Sequence, residues 1–141
     1  MLNKLYELII NFCKTIIYHT PTHRLNNKEK EQIKMYGLIH FCEAKNFISI
    51  KAKGVIGGLK EPMVKKEKDF TWYYINLSEN FEKNKKIVRS KGNRKKYDGC
   101  IIVKNLSDEQ LDLLRIRREI DDAVIYPGTL KTDDIKGFMI G

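Results

Sequence analysis

The sequence predicts a single α+β domain with a short-stranded, antiparallel or mixed sheet and flanking helices. Runs of β-forming residues alternate along the chain with segments of helical periodicity, and the connections lack the regular spacing of repeated β-α-β units. The 141 residues are enough for one stable core. We therefore expect one domain over 1–141, with an N-terminal amphipathic helix over 1–14 and an α+β core over 15–141.

The N-terminal half predicts the following elements in order: a helix over 1–14, a strand over 15–20, a helix over 27–36, a strand over 38–42 and, over 46–59, either a strand with a tight turn or a loop that crosses close to a ligand. Asn26 or Asn27 is expected to cap the second helix at its start. Gly37 stands where a helix commonly ends.

The C-terminal half predicts a charged loop over 60–70, a strand over 70–77, a helix over 78–89 that Ser78 caps, a strand over 97–106, a helix over 108–118, a strand over 123–128 and a final turn that Thr132 caps. Ser107 and Gln110 have the spacing of a capping box. The aromatic and β-branched content of 70–77 makes that strand the best defined of the set.

The charge balance favours acidic partners. The chain carries 27 Lys and Arg residues against 18 Asp and Glu residues, which gives a formal net charge of +9. Residues 83–96 carry basic charges alone. The sequence therefore predicts nucleic acid, or a protein associated with it, as a partner; the binding residues are expected to be Lys85, Lys86, Arg89, Lys91, Arg94, Lys95 and Lys96.

The cysteines and the N-terminus predict a cytoplasmic protein. Cys13, Cys42 and Cys100 are odd in number and widely spaced, which disfavours both a disulfide framework and structural zinc. Polar residues interrupt the apolar residues of 1–14, which is not typical of a secretory leader. The segment is also too short to span a membrane. We expect no integral membrane segment and three buried thiols.

No common catalytic or metal-binding motif is present. The chain lacks the phosphate-binding loop, the dinucleotide fingerprint, the zinc-protease helix and the serine-hydrolase elbow. Its three histidines, His19, His23 and His40, do not have the spacing of a metal site, so we expect no metal. What remains is a set of polar residues on apolar strands: His19, Tyr73 or Tyr74, and Asp121 or Asp122.

That order of residues resembles the His-Tyr-acid pattern of the ADP-ribosyltransferase-like superfamily, including the DarT-type DNA ADP-ribosyltransferases. The similar stretches are Tyr18-His19-Thr20, "YGLIHF" over 36–41, "WYYINL" over 72–77 and "DDAVIYPGTLKTDDIKG" over 121–137. They are short and scattered over 15–138. The candidate acid here is Asp122, whereas the superfamily usually has Glu.

The resemblance implies a split, ADP-ribosyltransferase-like sheet and NAD as a substrate. His19, Thr20, Arg24 and Tyr74 would then bind NAD, with His19 on a ribose and Arg24 on a phosphate. Asp122, His19 and Tyr73 would be the catalytic residues, with Asp122 stabilising the positive charge that develops as nicotinamide leaves. ADP-ribose would pass to a nucleic-acid or protein acceptor.

Two other functions fit the sequence. A non-enzymatic module could bind nucleic acid through 83–96 and stack bases on Trp72, Tyr73 or Tyr97. A small phage-type inhibitor of a host defence nuclease would also be compact and basic. If 108–118 is a helix that continues, Arg118 could pair with Asp121 or Asp122 and Arg117 with Asp121, and Asp122 would then be a surface residue with no catalytic role.

Overall fold

The computed structural model describes residues 4–5, 22–56, 70–80 and 97–140, and these form an α+β fold, as predicted. The strands are β1 (His23–Arg24), β2 (Leu38–Cys42), β3 (Phe70–Ile75), β4 (Gly99–Lys104), β5 (Arg115–Ile116), β6 (Val124–Pro127) and β7 (Asp134–Met139). The helices are α1 (Asn27–Tyr36), α2 (Phe47–Lys53) and α3 (Asp108–Leu113), with a 3-10 turn at Ala44–Asn46.

The described strands form one antiparallel sheet in the order β1-β5-β6-β3-β2-β4-β7. Strand β3 joins its two parts. Residues Phe70–Tyr73 pair with β6 on one edge, and Tyr74 and Ile75 pair with β2 on the other. Since β3 changes partner at Tyr74, the sheet divides there.

The larger core lies on the sheet face that the helices cover. Ile33 of α1 and Leu111 of α3 are buried in it, and Ile50 of α2 packs against it. A smaller cluster on the opposite face contains Ile39 and Cys100. The sheet therefore buries apolar side chains on both faces.

Two of the predicted buried thiols are confirmed. Cys42 and Cys100 are buried and free. Burial raises the pKa of the Cys42 thiol to about 12 and that of Cys100 to about 11, so both are unreactive thiols at neutral pH. Cys13 lies outside the described residues.

Helix α1 has the predicted bounds, and its caps explain them. Asn26 Oδ1 accepts a hydrogen bond from the Glu29 amide, while Glu29 Oε1 accepts one from the Asn26 amide, each at 2.8 Å. Gly37 ends the helix with φ of 85°. A Cβ there would lie 2.4 Å from the Val103 carbonyl oxygen, so only glycine fits.

The interpretation of 46–59 as a strand or loop is wrong, because Phe47–Lys53 forms helix α2. Phe47 and Ile50, three residues apart, face the core together, and the Gly54 amide donates to the Ile50 carbonyl at the helix end. The Phe47 ring lies over Gly99 of β4 and Gly137 of β7. Those two glycines provide the space for the ring, and that pairing is not visible in the local sequence.

Two further expectations about the C-terminal half are wrong. Helix α3 ends at Leu113 rather than 118, since Arg115 and Ile116 pair with β1 and β6 as strand β5. The final turn expected before 137–141 is confined to Thr132, whose Oγ1 accepts the Asp134 amide at 3.3 Å, because Asp134–Met139 is strand β7, which pairs along its length with β4. In both places pairing with distant strands overrides the local helical or turn preference.

Several predictions fall on segments that cannot be compared. The predicted strand over 15–20 and most of the residues of the helices over 1–14 and 78–89 lie outside the described residues; Lys4 and Leu5 are described as helical and exposed. Within the described ranges, no helix has both the length and the apolar character needed to cross a bilayer.

Replacing Gly137 by Ala should destabilise the fold. The new Cβ would lie 2.6–2.8 Å from three atoms of the Phe47 ring, including Cγ, which is close to the backbone and cannot swing away. We expect a loss of about 1–3 kcal/mol in the free energy of unfolding, measured by urea denaturation. In the Phe47→Ala background, Gly137→Ala should lower the free energy of unfolding only slightly. An equal decrease in both backgrounds would contradict the packing explanation.

His40 fills the gap that opens where β2 and β3 stop pairing. Its Nδ1–H donates to the Trp72 carbonyl oxygen at 2.7 Å, and its ring centroid lies 5.4 Å from that of Tyr73. Burial lowers the pKa of His40 below its usual 6.5, and the hydrogen bond to Trp72 opposes this effect only in part. His40 therefore carries a neutral imidazole in the folded protein at neutral pH.

Stability should consequently depend on pH through His40. The unfolded chain binds this proton more tightly than the folded chain, so the free energy of unfolding should decrease as pH falls below about 6.5 toward the lower folded pKa. His40→Asn keeps a donor near the Nδ1 position without a titrating group. We expect the wild type to lose stability relative to His40→Asn between about pH 7 and pH 5; parallel curves would show that His40 does not supply the slope.

Candidate functional site

A cleft of about 210 Å³ lies where β3 stops pairing with β6. The last pair of that ladder joins Tyr73 to Val124. Beyond it, β3 pairs with β2 and the chain before Val124 turns away. The space between them is lined by Glu29, Gln32, Tyr74, Ile75, Leu77, Ile116 and Asp122.

Of the two candidate tyrosines, only Tyr74 is at the cleft. Tyr73 faces the core and is 0% exposed. Its hydroxyl donates to Thr71 Oγ1 at 2.8 Å, and burial raises the pKa of that hydroxyl. A ring enclosed on all sides cannot stack on a ligand, so the structure separates Tyr73 from the site and assigns it to the core.

The β5–β6 turn separates the roles of the two aspartates. The Arg117 carbonyl accepts hydrogen bonds from the amides of Ile120, Asp121 and Asp122, at 3.0–3.3 Å. Asp121 Oδ1 accepts the Ala123 amide at 3.0 Å and lies 3.7 Å from Arg117 Nε. Asp121 therefore holds the turn, while Asp122 lines the cleft.

Asp122 has a left-handed backbone, with φ of 57°. Few residues other than glycine, Asn and Asp adopt this conformation at low cost. The tight closure of the turn on the Arg117 carbonyl imposes it. The same closure brings the Asp122 side chain to the end of β3.

Arg118 attaches this turn to helix α1. Its Nη2 donates to Glu29 Oε1, and its Nε donates to Glu29 Oε2 at 3.3 Å. Nη2 also donates to the Arg24 carbonyl oxygen at 3.1 Å. The Glu29 side chain is only 16% exposed. Arg118 thus donates to Glu29 and Arg24, and the Arg117–Asp121 pair of the surface-pair alternative is present, with Arg117 Nε 3.7 Å from Asp121 Oδ1.

Asn76 attaches the other end of α1 to the end of β3. It is 1% exposed, its Nδ2 donates to the Tyr36 carbonyl at 2.9 Å, and its amide donates to the Gly37 carbonyl at 3.0 Å. A buried amide with these bonds satisfied fixes the helix end rigidly. Arg118 and Asn76 together hold α1 across the cleft.

Among the predicted candidates that the structure describes, Tyr74 and Asp122 line the same cleft. Arg24 lies on edge strand β1 and lines a different cleft. His19, Thr20 and all seven candidate residues of the basic segment 83–96 lie outside the described residues, so their roles stay predictions.

Sequence reasoning missed Glu29, Gln32, Arg118 and Asn76. The spacing of Asn26 and Glu29 is that of a capping box, which would have marked Glu29 as a residue at the start of α1. The other three give no local signal, because their importance comes from contacts with distant residues. The pairing of Arg118 with Glu29, for example, spans 89 residues.

The cleft can recognise a small ring or sugar. Its lining includes the aromatic residue Tyr74, whose ring also contacts that of Phe41 at a centroid distance of 5.9 Å, together with an amide, carboxylates and three aliphatic side chains. Its volume lies below the roughly 300–1,000 Å³ of sites for drug-sized ligands, so it would enclose one part of a nucleotide. Within the described segments, no three His, Cys, Asp or Glu side chains are grouped as metal ligands.

Asp122→Ala should destabilise the protein through the backbone. Alanine in the left-handed conformation is expected to cost about 1–2 kcal/mol, whereas Asp122→Asn and Asp122→Gly should cost much less. Urea denaturation of the three variants tests this. If all three have equal stability, the turn does not impose the conformation. Functional tests should accordingly use Asp122→Asn.

No protein-family model, curated protein or solved structure matches this chain. Function therefore has to be inferred from the cleft and from the residues that line it.

Proposed function

We propose that the domain binds the nicotinamide riboside end of NAD in the cleft between Tyr74 and Asp122 and transfers ADP-ribose from it. The observation that carries this proposal is the convergence of the two residues. They are 48 positions apart in the sequence, belong to separate sequence motifs, and line the same 210 Å³ space.

The chemistry required of the site is modest. The bond between the ribose C1′ and the nicotinamide nitrogen breaks, and its electron pair leaves with the neutral nicotinamide. Positive charge develops on the ribose, and the acceptor nucleophile attacks C1′ and releases a proton to a base or to solvent. A fixed carboxylate near C1′ stabilises that charge, and an aromatic face orients the nicotinamide ring.

Asp122 rather than Glu29 is assigned the carboxylate role. Both oxygens of Glu29 are held by Arg118, and Oε1 also accepts the Asn26 amide. A carboxylate engaged in this way fixes α1 and has little capacity left for a ligand. Gln32 lines the cleft one helical turn further along and would hydrogen-bond a ribose hydroxyl or the nicotinamide amide.

The cleft is too small for the whole dinucleotide, so further residues must bind the rest of it. His19 and Thr20 are the candidates that the sequence offers for the ribose. This part of the proposal rests on the resemblance alone.

We propose nucleic acid as the acceptor. Basic and acidic side chains nearly balance over the described residues, so most of the net charge of +9 belongs to the remaining segments, above all to 83–96. Binding to phosphates through such a segment is independent of base sequence and weakens steeply as salt increases. The basic segment would bind the nucleic-acid strand, and ADP-ribose would be transferred to that nucleic acid at the cleft.

The first test is calorimetric titration of NAD with the wild type, Tyr74→Ala and Asp122→Asn. Loss of ring stacking should weaken binding about tenfold or more in Tyr74→Ala. Asp122→Asn should bind NAD but release nicotinamide about 100-fold more slowly or worse, because its neutral amide stabilises the developing charge poorly. Transfer of labelled ADP-ribose to single-stranded DNA at low and high salt then tests the acceptor.

Tyr97→Ala is the matched control for NAD binding, and Asp133→Asn is the matched control for NAD binding and transfer, since both residues lie away from the cleft lining. They should behave as the wild type. Absence of saturable NAD binding at millimolar concentration would exclude the transferase proposal. If NAD is consumed but no label reaches DNA, the acceptor is a different class of molecule.

A further inference from the structure

A second cleft, of about 240 Å³, lies between α1, α3 and edge strand β1. It is lined by Arg24, Leu25, Lys30, Leu111 and Asp112. Lys30 Nζ and Asp112 Oδ1 are 2.9 Å apart and connect α1 to α3. None of these residues lines the cleft that contains Tyr74 and Asp122.

Positive charge is concentrated at this second cleft. Arg24 of β1 lines the cleft, and its Cα partner in the antiparallel ladder is a second cation, Arg115 of β5, which borders the cleft through its hydrogen bond to the Asp112 carbonyl. Such a pair is destabilising unless a counter-charge lies between the two groups. Lys30, Arg24 and Arg115 all act on Asp112 and lower the pKa of its carboxyl, with Lys30 having the largest effect.

A single carboxylate stands against these three cations. Among the described residues that line the cleft, Asp112 is the one acid, and its Oδ1 is already bound to Lys30. The charge nearest to Arg24 and Arg115 is therefore incompletely balanced. An anion would remove the repulsion between the two arginines.

The arginines also have the hydrogen-bond donors that an anion needs. Arg115 Nη1 donates to the carbonyls of Asp112 and Leu114, at 2.7 and 2.8 Å, which fixes the orientation of its guanidinium. Its Nε and Nη2, and the whole guanidinium of Arg24, make no hydrogen bond within the described part of the chain. A fixed fork with remaining donors is suited to tetrahedral oxyanions.

We propose that this second cleft is a phosphate-binding site, lined by Arg24 and Lys30 and bordered by Arg115, for inorganic phosphate or the terminal phosphate of a small metabolite. Arg24 would bind the phosphate oxygens, Lys30 would be shared between phosphate and Asp112, and Arg115 would add positive charge at the border of the cleft. The proposal does not depend on NAD binding in the other cleft, so either can fail alone.

The test is titration of the full chain with inorganic phosphate at constant ionic strength. Binding is measured by calorimetry, and the thermal unfolding midpoint is measured in parallel. Saturable binding and a higher midpoint are expected in phosphate than in chloride. Arg24→Gln should weaken the affinity about tenfold or more, as expected for loss of charge-assisted hydrogen bonds. Arg24 is the preferred target because Arg115 also closes the end of α3.

Two pairs of variants distinguish a built site from general surface charge. Lys131→Gln removes a cation elsewhere and should leave phosphate affinity unchanged. Asp112→Asn removes the carboxylate from the cleft and should tighten phosphate binding. Asp108, on the same helix, pairs with Lys34 outside the cleft, so Asp108→Asn should leave phosphate affinity unchanged. Equal effects within either pair, or no saturable binding, would overturn the proposal.

Ribose 5-phosphate distinguishes the two sources of the phosphate. Tighter binding than inorganic phosphate, lost in Arg24→Gln, would identify a phosphorylated metabolite as the ligand. Affinity equal to that of inorganic phosphate, also lost in Arg24→Gln, would identify free phosphate.

Discussion

The division of strand β3 between two partners determines the rest of the structure. Its first four residues pair with β6 and its last two with β2, so one strand holds both parts of the sheet together. Because backbone pairing with β6 ends at Tyr73, the next residue, Tyr74, borders a gap on the β6 side of the strand while it pairs with Ile39 of β2 on the other side. The candidate site is this gap.

Where the sheet has a gap, backbone and side-chain groups need contacts other than strand pairing. Helix α1 provides these contacts. Asn76 bonds to the end of the helix and Arg118 to its beginning. Both contacts are between residues far apart in the sequence, so the cleft forms only after the sheet and the helix have assembled. Its geometry is a property of the whole fold and not of a local motif.

Sequence reasoning succeeded where local physics determines the structure. Helix α1 and the start of α3 are set by capping boxes, and β3 and β4 by dense β-forming residues. It failed for α2, for the end of α3 and for β7, where distant partners decide. Phe47 needs the space above Gly137, and Arg115 follows strand pairing although its neighbours favour a helix. At the site, Asp122 and Tyr74 were identifiable, but the residues of α1 that complete the cleft were not.

Helix α1 also separates two environments of opposite chemical character. Glu29 lines the cleft that contains Tyr74 and Asp122, while its neighbour Lys30 lines the cleft that contains Arg24. Consecutive residues on a helix differ by about 100° in direction, so one helix can contribute an acid to one site and a base to the other. Arg118 neutralises Glu29 and Asp112 partly neutralises Lys30. The charge that each cleft offers to a ligand is therefore contributed mainly by residues outside α1, which are Asp122 in the first cleft and Arg24, with Arg115 at the border, in the second.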